Sequence, residues 1–299
     1  MNSHTSPTWP FFLGCPVWAC DQWAGRVYPE RTPRNDWLSW YSRTFNTVEG
    51  NSTFYAMPSQ ETMQRWAQQV ATGFQFCLKF PRSISHELEL RHAEEETRTF
   101  LRCIEPLANA EVLGPTFLQL GPRFGPERFD ALDEYLSQLP QGFDWAVELR
   151  HPGWFDQADN EHRVNDLLSR LQIDKVLLDS RPLYQCPPED EMERVSQSRK
   201  PKTPVRQTVT ANCPMLRIIG RDRIELVDRF FDQWAPIVSN WIRNGRKPYV
   251  FTHAPDDMFA PDLARRFAAE MQCRLGEATI SVPRPPASVR QLSLLDEDR

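Results

Sequence analysis

Nowhere does the chain approach the roughly 18 uninterrupted apolar residues of a membrane-crossing helix. Its opening, MNSHTSPTWP, has no basic region leading into an apolar stretch, so neither a membrane anchor nor a secretory leader is expected. CxxC pairs are also missing. The seven cysteines stand at 15, 20, 77, 103, 186, 213 and 273, an odd and scattered set that disfavours a disulfide framework or a zinc ribbon. Buried thiols of a reduced, cytoplasmic protein fit better. No HxH or HExxH pattern marks a metal centre. Positive charge is not in excess either: the net charge is −5, which excludes a generic polyanion binder. Any phosphate or nucleic-acid contact must come from a local basic cluster.

What is present is a rhythm. Short apolar segments end in charged or hydrogen-bonding residues eight times, at 11–18, 44–51, 74–80, 116–120, 144–150, 175–181, 215–220 and 248–253. Helical periodicity fills 59–70, 94–111, 126–139, 160–172, 222–243 and 256–270. Ser59, with Glu61 and Thr62 following, reads as a capped helix start. Strands alternating with helices argue for parallel pairing with helical crossovers. The chain has 299 residues, with ten Trp and eighteen Phe for one large core. The expected fold is an α/β, single-domain (β/α)8 TIM-like barrel over 11–282, with a doubly wound open sheet as the alternative. Two segments break the rhythm. Residues 186–210 form a long, charged, proline-rich insertion after strand six, and 283–299 read as an extended proline-rich tail.

Strand side chains alternate between faces, so parity predicts which residues share the barrel interior. Strand three points Cys77 and Lys79 inward and Phe74, Phe76, Leu78 and Phe80 toward the helices. Strand five points Ala146, Glu148 and Arg150 inward. Strand six places Leu177, Asp179 and Arg181 on one face, read as the inner one. Glu49 and Asn51 pair on strand two, with Gln119, Arg217 and His253 on strands four, seven and eight. Polar residues gathered at the carboxyl ends of strands are where a barrel builds its active site. A structural alternative is salt-bridged filler, with Asp179 paired to Lys79, but seven or eight converging charges favour a site. The cationic groups Lys79, Arg82, Arg150, Arg181, Arg217 and Arg221 imply an anionic ligand, for which arginine's planar fork is suited. His86, His151 and His253 add acid–base candidates. Trp18, Tyr55 and Trp154 could stack on a sugar or base. The basic stretch from Arg199 to Arg206 reads as a solvated loop that could also attract an anion.

The segments FNTVEGNSTFYAMP, FCLKFPRSISHELEL, LQLGPRFGP, VELRHPGWF and LLDSRPLY together resemble the YecE-like family, a (β/α)8 domain of unknown function. The resemblance runs from about residue 11 to the end of the chain. It implies the barrel and no settled reaction. Glu49, Asn51, Tyr55, Lys79, His86, Glu148, Arg150, His151, Trp154, Asp179 and Arg181 fall at matching positions. The opening LGCPVWACDQW departs from the glycine-serine-glycine-tryptophan type of start common in the family.

Three chemistries compete. In metal-free acid–base hydrolysis or isomerisation of a phosphorylated or carboxylated compound, Glu148 or Glu49 is the base, with Lys79 and the arginines stabilising negative charge. In a metal-assisted reaction, Glu49, Glu148 and Asp179, with His86 or His253, hold a divalent ion. In a third, Lys79 is a Schiff-base amine, its pKa lowered by Arg82 and opposed by Asp179. A two-carboxylate glycosidase is disfavoured by the cationic excess. Gln291-Leu292-Ser293-Leu294-Leu295 resembles the short peptide by which bacterial repair and replication proteins dock on the DNA polymerase sliding clamp. Such docking would favour a nuclease-like or lesion-processing version of the metal reaction. A non-catalytic anion- or nucleotide-binding role is a further alternative.

Overall fold

Among the described residues there are eight strands, and each pairs in parallel with a neighbour, as helical crossovers require. The computed structural model describes residues 5–276 and 279–281. The strands are β1 (Phe12–Gly14), β2 (Thr47–Gly50), β3 (Gln75–Leu78), β4 (Thr116–Gln119), β5 (Trp145–Glu148), β6 (Asp174–Asp179), β7 (Met215–Ile219) and β8 (Tyr249–His253). Six of them form a curled parallel half-barrel in the order β1-β8-β7-β6-β5-β4, and β2 and β3 form a separate parallel pair. Backbone hydrogen bonds tie the pair to both edges of the larger sheet. The Glu49 N–H donates to the Cys15 carbonyl at 3.0 Å, and the Phe80 N–H to the Phe117 carbonyl at 3.0 Å. Beside β1, the Asn46 side chain replaces a ladder partner by accepting from the Leu13 N–H at 2.8 Å. Gly14 permits this close approach: a Cβ there would lie 2.0 Å from the Thr47 carbonyl oxygen.

Helices follow the strands in turn: α1 (Trp37–Thr44), α2 (Ser52–Tyr55), α3 (Gln60–Gln69), α4 (Glu94–Asn109), α5 (Phe129–Ser137), α6 (Asp159–Arg170), α7 (Arg181–Tyr184), α8 (Glu191–Arg199), α9 (Asp228–Arg243) and α10 (Ala260–Leu275). Ser59 caps α3, its hydroxyl accepting from the Thr62 N–H. The eight-residue α1 has no counterpart among the expected helices. It is short and rich in aromatics, so it holds by burying Trp37, Leu38 and Tyr41 rather than by propensity. The segment between β6 and β7 contains α7 and α8 where a loop is expected.

The apolar core has two parts, set by strand parity. Phe76, Leu118, Val147, Leu216 and Val250 face the helices in the larger cluster. Cys77, Phe117, Ala146, Val176, Met215 and Phe251 fill the space between the strands. Above that inner plug, toward the carboxyl ends, the inward positions turn polar: Glu49, Lys79, Gln119, Glu148, Arg217 and His253 are all buried.

Candidate active site at the carboxyl ends of the strands

Arg217 is the pivot. Its guanidinium lies between two carboxylates, one from β2 in the strand pair and one from β5 in the half-barrel. Nε and Nη2 donate to the two Glu49 oxygens at 2.7 and 2.8 Å, and Nη1 donates to Glu148. The fork geometry suits arginine, and burial demands the pairing, because an unmatched ion here would cost several kcal/mol. The remaining acceptor capacity is also used. Asn51 donates to Glu49 Oε1 at 2.8 Å, and Arg150 Nε to Glu148 Oε1 at 2.6 Å. Arg150 is itself steadied by Gln119, whose Oε1 accepts from Nη2 at 2.6 Å. Burial pushes the Glu49 carboxyl up, but Arg217 and His253 outweigh it and hold it well below the usual range. Glu148 likewise falls to about 2, burial being outweighed by Arg217 and Arg150. Both are therefore ionised and accept only.

That fixes the histidine. His253 Nε2 lies 3.1 Å from Glu49 Oε2, and burial holds the ring down to about 4 even though Glu49 opposes it. The ring is neutral at pH 7, and its proton sits on Nε2, facing the carboxylate.

Two lysines join this network without pairing into it. Lys79 leaves the end of β3 with 7% of its surface exposed, and its Nζ sits 3.7 Å above the Phe54 ring. The Thr53 hydroxyl fixes its backbone by donating to the Lys79 carbonyl at 2.6 Å. Burial, reinforced by Arg217 and offset in part by Glu148, lowers its amine to about 7. Lys200, at the end of α8, reaches the same group of charges. Burial and Arg217 lower it to about 8, with Glu49 opposing. Among the described residues, neither Nζ forms a hydrogen bond or an ion pair. His86 stands beside Lys79 with its ring edge-on to Phe54 at 5.2 Å, its Nδ1 2.8 Å from the Ser85 hydroxyl. Burial and the Lys79 charge hold it to about 4, so it too is neutral.

Other expected members lie elsewhere. Asp179 is on the helix side of β6, where its carboxylate accepts from the Trp234 indole at 2.7 Å and from Arg181 at 2.7 and 3.0 Å. It shares a face with Leu177, as parity requires, but the face is the outer one. Arg181, turned with it, lies over Phe230. Trp154 is a core residue whose Nε1 donates to the Phe124 carbonyl at 2.8 Å, and Trp18 packs edge-on against Trp66. His151 caps the turn Pro152–Phe155 by accepting from the Gly153 N–H at 3.0 Å. Arg82 is exposed and meets Glu87 at 3.6 Å, and Tyr55 is 79% exposed. Arg221 is fully buried and clasps the segment after β6. It binds Glu193, the Cys186 carbonyl at 3.1 Å and the Pro187 carbonyl at 3.1 Å. Residues 291–295 lie outside the described residues.

The structure thus gathers Glu49, Asn51, Lys79, His86, Gln119, Glu148, Arg150, Arg217 and His253. It adds Phe54 as the floor under Lys79 and Lys200 as a second amine. A signal for the lysines exists in the composition. Of the 35 Lys and Arg residues only five are lysine, at 79, 175, 200, 202 and 247, and two of these enter the mouth. Among the described residues no three His, Cys, Asp or Glu side chains are gathered as a metal site, and no helix is long and apolar enough to cross a membrane. All seven cysteines are free.

Residues 12–288 match the family described as "Protein of unknown function DUF72". The chain is 36% identical over 283 residues to the UPF0759 protein YecE of Escherichia coli, covering 95% of this chain and 99% of that protein. It is 23% identical over 155 residues to the UPF0759 protein YunF of Bacillus subtilis, or 50% of this chain and 55% of that one. Crystal structures of DUF72 family proteins share the fold. One from Enterococcus faecalis has a TM-score of 0.67 at 18% identity, over 88% of this chain and 95% of its own. One from Thermotoga maritima has a TM-score of 0.65 at 23% identity, over 89% and 98%. The long YecE-like motifs and the shared architecture agree, and the chain belongs to the DUF72 family of YecE-like proteins, whose function is unknown.

Proposed function

We propose that the eight strands act as one closed (β/α)8 barrel over 11–282, and that its carboxyl-end mouth is the active site of a cytoplasmic enzyme acting on an anionic small molecule. The observation that carries this reading is a charge count. Glu49 and Glu148 are matched by Arg217 and Arg150 within hydrogen-bond distance. A proton on Lys79 is therefore surplus positive charge in a buried site, where a phosphate or carboxylate is the natural complement, while Lys200 stands near both Glu49 and Asp257.

The same count changes the acid–base assignment. A carboxylate held far below pH 7 by a guanidinium is a weak base, so Glu49 and Glu148 serve better as the fixed electrostatic frame. Lys79, near 7, exists in both protonation states at physiological pH and suits proton transfer during hydrolysis or isomerisation. A divalent metal fits this arrangement poorly, because all four carboxylate oxygens already accept from Arg217, Arg150, Asn51 and His253. Recruitment to a sliding clamp through Gln291–Leu295 rests on the sequence alone. A pull-down with and without residues 290–299 tests it.

The experiment for the main reading is a thermal-shift series on the whole protein with inorganic phosphate and with phosphorylated and carboxylated compounds, in chelator. A saturable rise in Tm that Lys200→Ala weakens supports the reading. No stabilisation by any anion would remove it.

A further inference from the structure

We propose that Lys79 forms an imine with a carbonyl compound that also carries an anionic group, and that Lys200 holds that group. The inference rests on the anion-binding reading of the mouth and names the substrate class. Its first support is geometric. Lys79 is buried and sits on an aromatic floor, yet no carboxylate takes its ammonium, because Arg217 and Arg150 already occupy Glu49 and Glu148. The buried Lys175 makes the contrast: it is tied to Asn165 at 2.9 Å and lies 3.8 Å from Glu161. An amine held that way is structural. An amine left unpaired between fixed cations is available as a nucleophile.

Residue choice is the second support. This chain carries its positive charge almost wholly as arginine, which cannot lose its proton. At the mouth it uses lysine twice, from two separate elements. Lys200 is fixed through its own backbone and the next residue: Tyr184 donates to the Lys200 carbonyl, and the Ser180 hydroxyl donates to the Pro201 carbonyl at 2.7 Å. The backbone that carries the second cation is therefore anchored.

The objection raised by the sequence, that Asp179 would keep Lys79 charged, does not apply, since Asp179 is engaged by Trp234 and Arg181. The step balances. The neutral Lys79 nitrogen attacks the carbonyl carbon, and its proton passes to the carbonyl oxygen, giving a carbinolamine. That hydroxyl takes a proton from solvent and leaves as water, and the nitrogen's remaining proton returns to solvent, so that the imine stays on Lys79. No oxidant or reductant is consumed.

The test uses the whole protein with sodium cyanoborohydride, which reduces an imine to a stable amine, and peptide mass mapping of all five lysines. Three aldehydes are compared: glyoxylate, glycolaldehyde phosphate and uncharged acetaldehyde. Expected is labelling of Lys79 at least about ten-fold faster than exposed Lys202 or Lys247. The faster of the two anionic aldehydes identifies carboxylate or phosphate as the recognised group. Inorganic phosphate slows the labelling, and Lys200→Ala narrows the advantage over acetaldehyde. Even labelling of the five lysines, or none at Lys79, overturns the imine. If phosphate still raises Tm in that case, the anion-binding reading survives without it. Fast labelling of Lys79 by acetaldehyde alone, with no effect of phosphate, overturns the substrate class and the anion-binding reading together. The mapping is done on the natural protein, so no variant has to fold for the result to count.

Discussion

Replacing Arg217 with methionine keeps most of the side chain's volume and removes its charge. Glu148 still has Arg150 at 2.6 Å, but Glu49 is left with only Asn51 and His253 as donors, in a position with no solvent exposure. Breaking a buried pair from one side costs about 3–5 kcal/mol. For a chain of this size each kcal/mol lowers Tm by roughly 2–3 °C, so the expected fall is about 6–15 °C at pH 7. The pH dependence gives a second check. In the natural protein both glutamates titrate below their unfolded values, so their stabilisation is present above an unfolded pKa of about 4.3 and is lost as pH falls through the folded values. In the variant, Glu49 has lost its main cation, burial dominates, and its folded pKa rises above the unfolded one. The variant is therefore penalised most at neutral pH and relieved by acid. Scanning calorimetry of both proteins from pH 4 to pH 8 should show a gap that widens as pH rises. A loss below about 1 kcal/mol at pH 7, or a gap that does not change with pH, would refute the claim that this guanidinium neutralises two buried carboxylates.

Three further outcomes follow from the geometry. Trp234→Phe removes the indole donor to Asp179 and should cost about 1.5–3 kcal/mol by denaturant unfolding while leaving anion-induced stabilisation intact. Loss of anion binding would return Asp179 to the site. Asp174 is raised to about 7, chiefly by burial, and one of its oxygens has no partner. Its contribution is full below the unfolded pKa and lost as pH rises toward 7. Asp174→Asn should therefore gain on the natural protein by about 1–3 kcal/mol between pH 4 and pH 8, and a constant difference would contradict this. Arg221→Met leaves Glu193 uncompensated under the segment after β6. Limited proteolysis should then cut within 186–210 before the natural protein is cut, and equal rates would deny Arg221 its clasping role.

Parity carried the site wherever one face of a strand was plainly apolar. In FQFCLKF the aromatics and Leu78 mark the helix side without ambiguity, so Lys79 had to point inward, and it does. Strand six offers no such mark. Its core reads Val176-Leu177-Leu178, apolar on both faces, so spacing groups Leu177 with Asp179 without marking the inner face, and the inward placement of Asp179 fails. His151 and Trp154 stand just after a strand end, where a barrel site is expected. Their work is local, a turn cap and a buried indole, and depends on Gly153 and Phe124, contacts that no periodicity announces. Lys200 was harder to see. It arrives from a charged segment whose sequence suits a solvated loop, and it reaches the mouth only because α8 is pinned by Arg221 and Tyr184.

The bond between Arg217 and Glu49 spans 168 positions of sequence, and that between His253 and Glu49 spans 204. Contacts so distant along the chain close large loops, which carries an entropy cost and slows folding. Each also crosses from the strand pair β2–β3 to the half-barrel. A chain that has laid down only its amino-terminal half, with Glu49 and Lys79 in their strands, still lacks Arg217 and His253 and so the frame around them. The frame that leaves Lys79 unpaired comes into being only when the last two strands dock. The chemistry proposed for Lys79 would thus be gated by assembly itself.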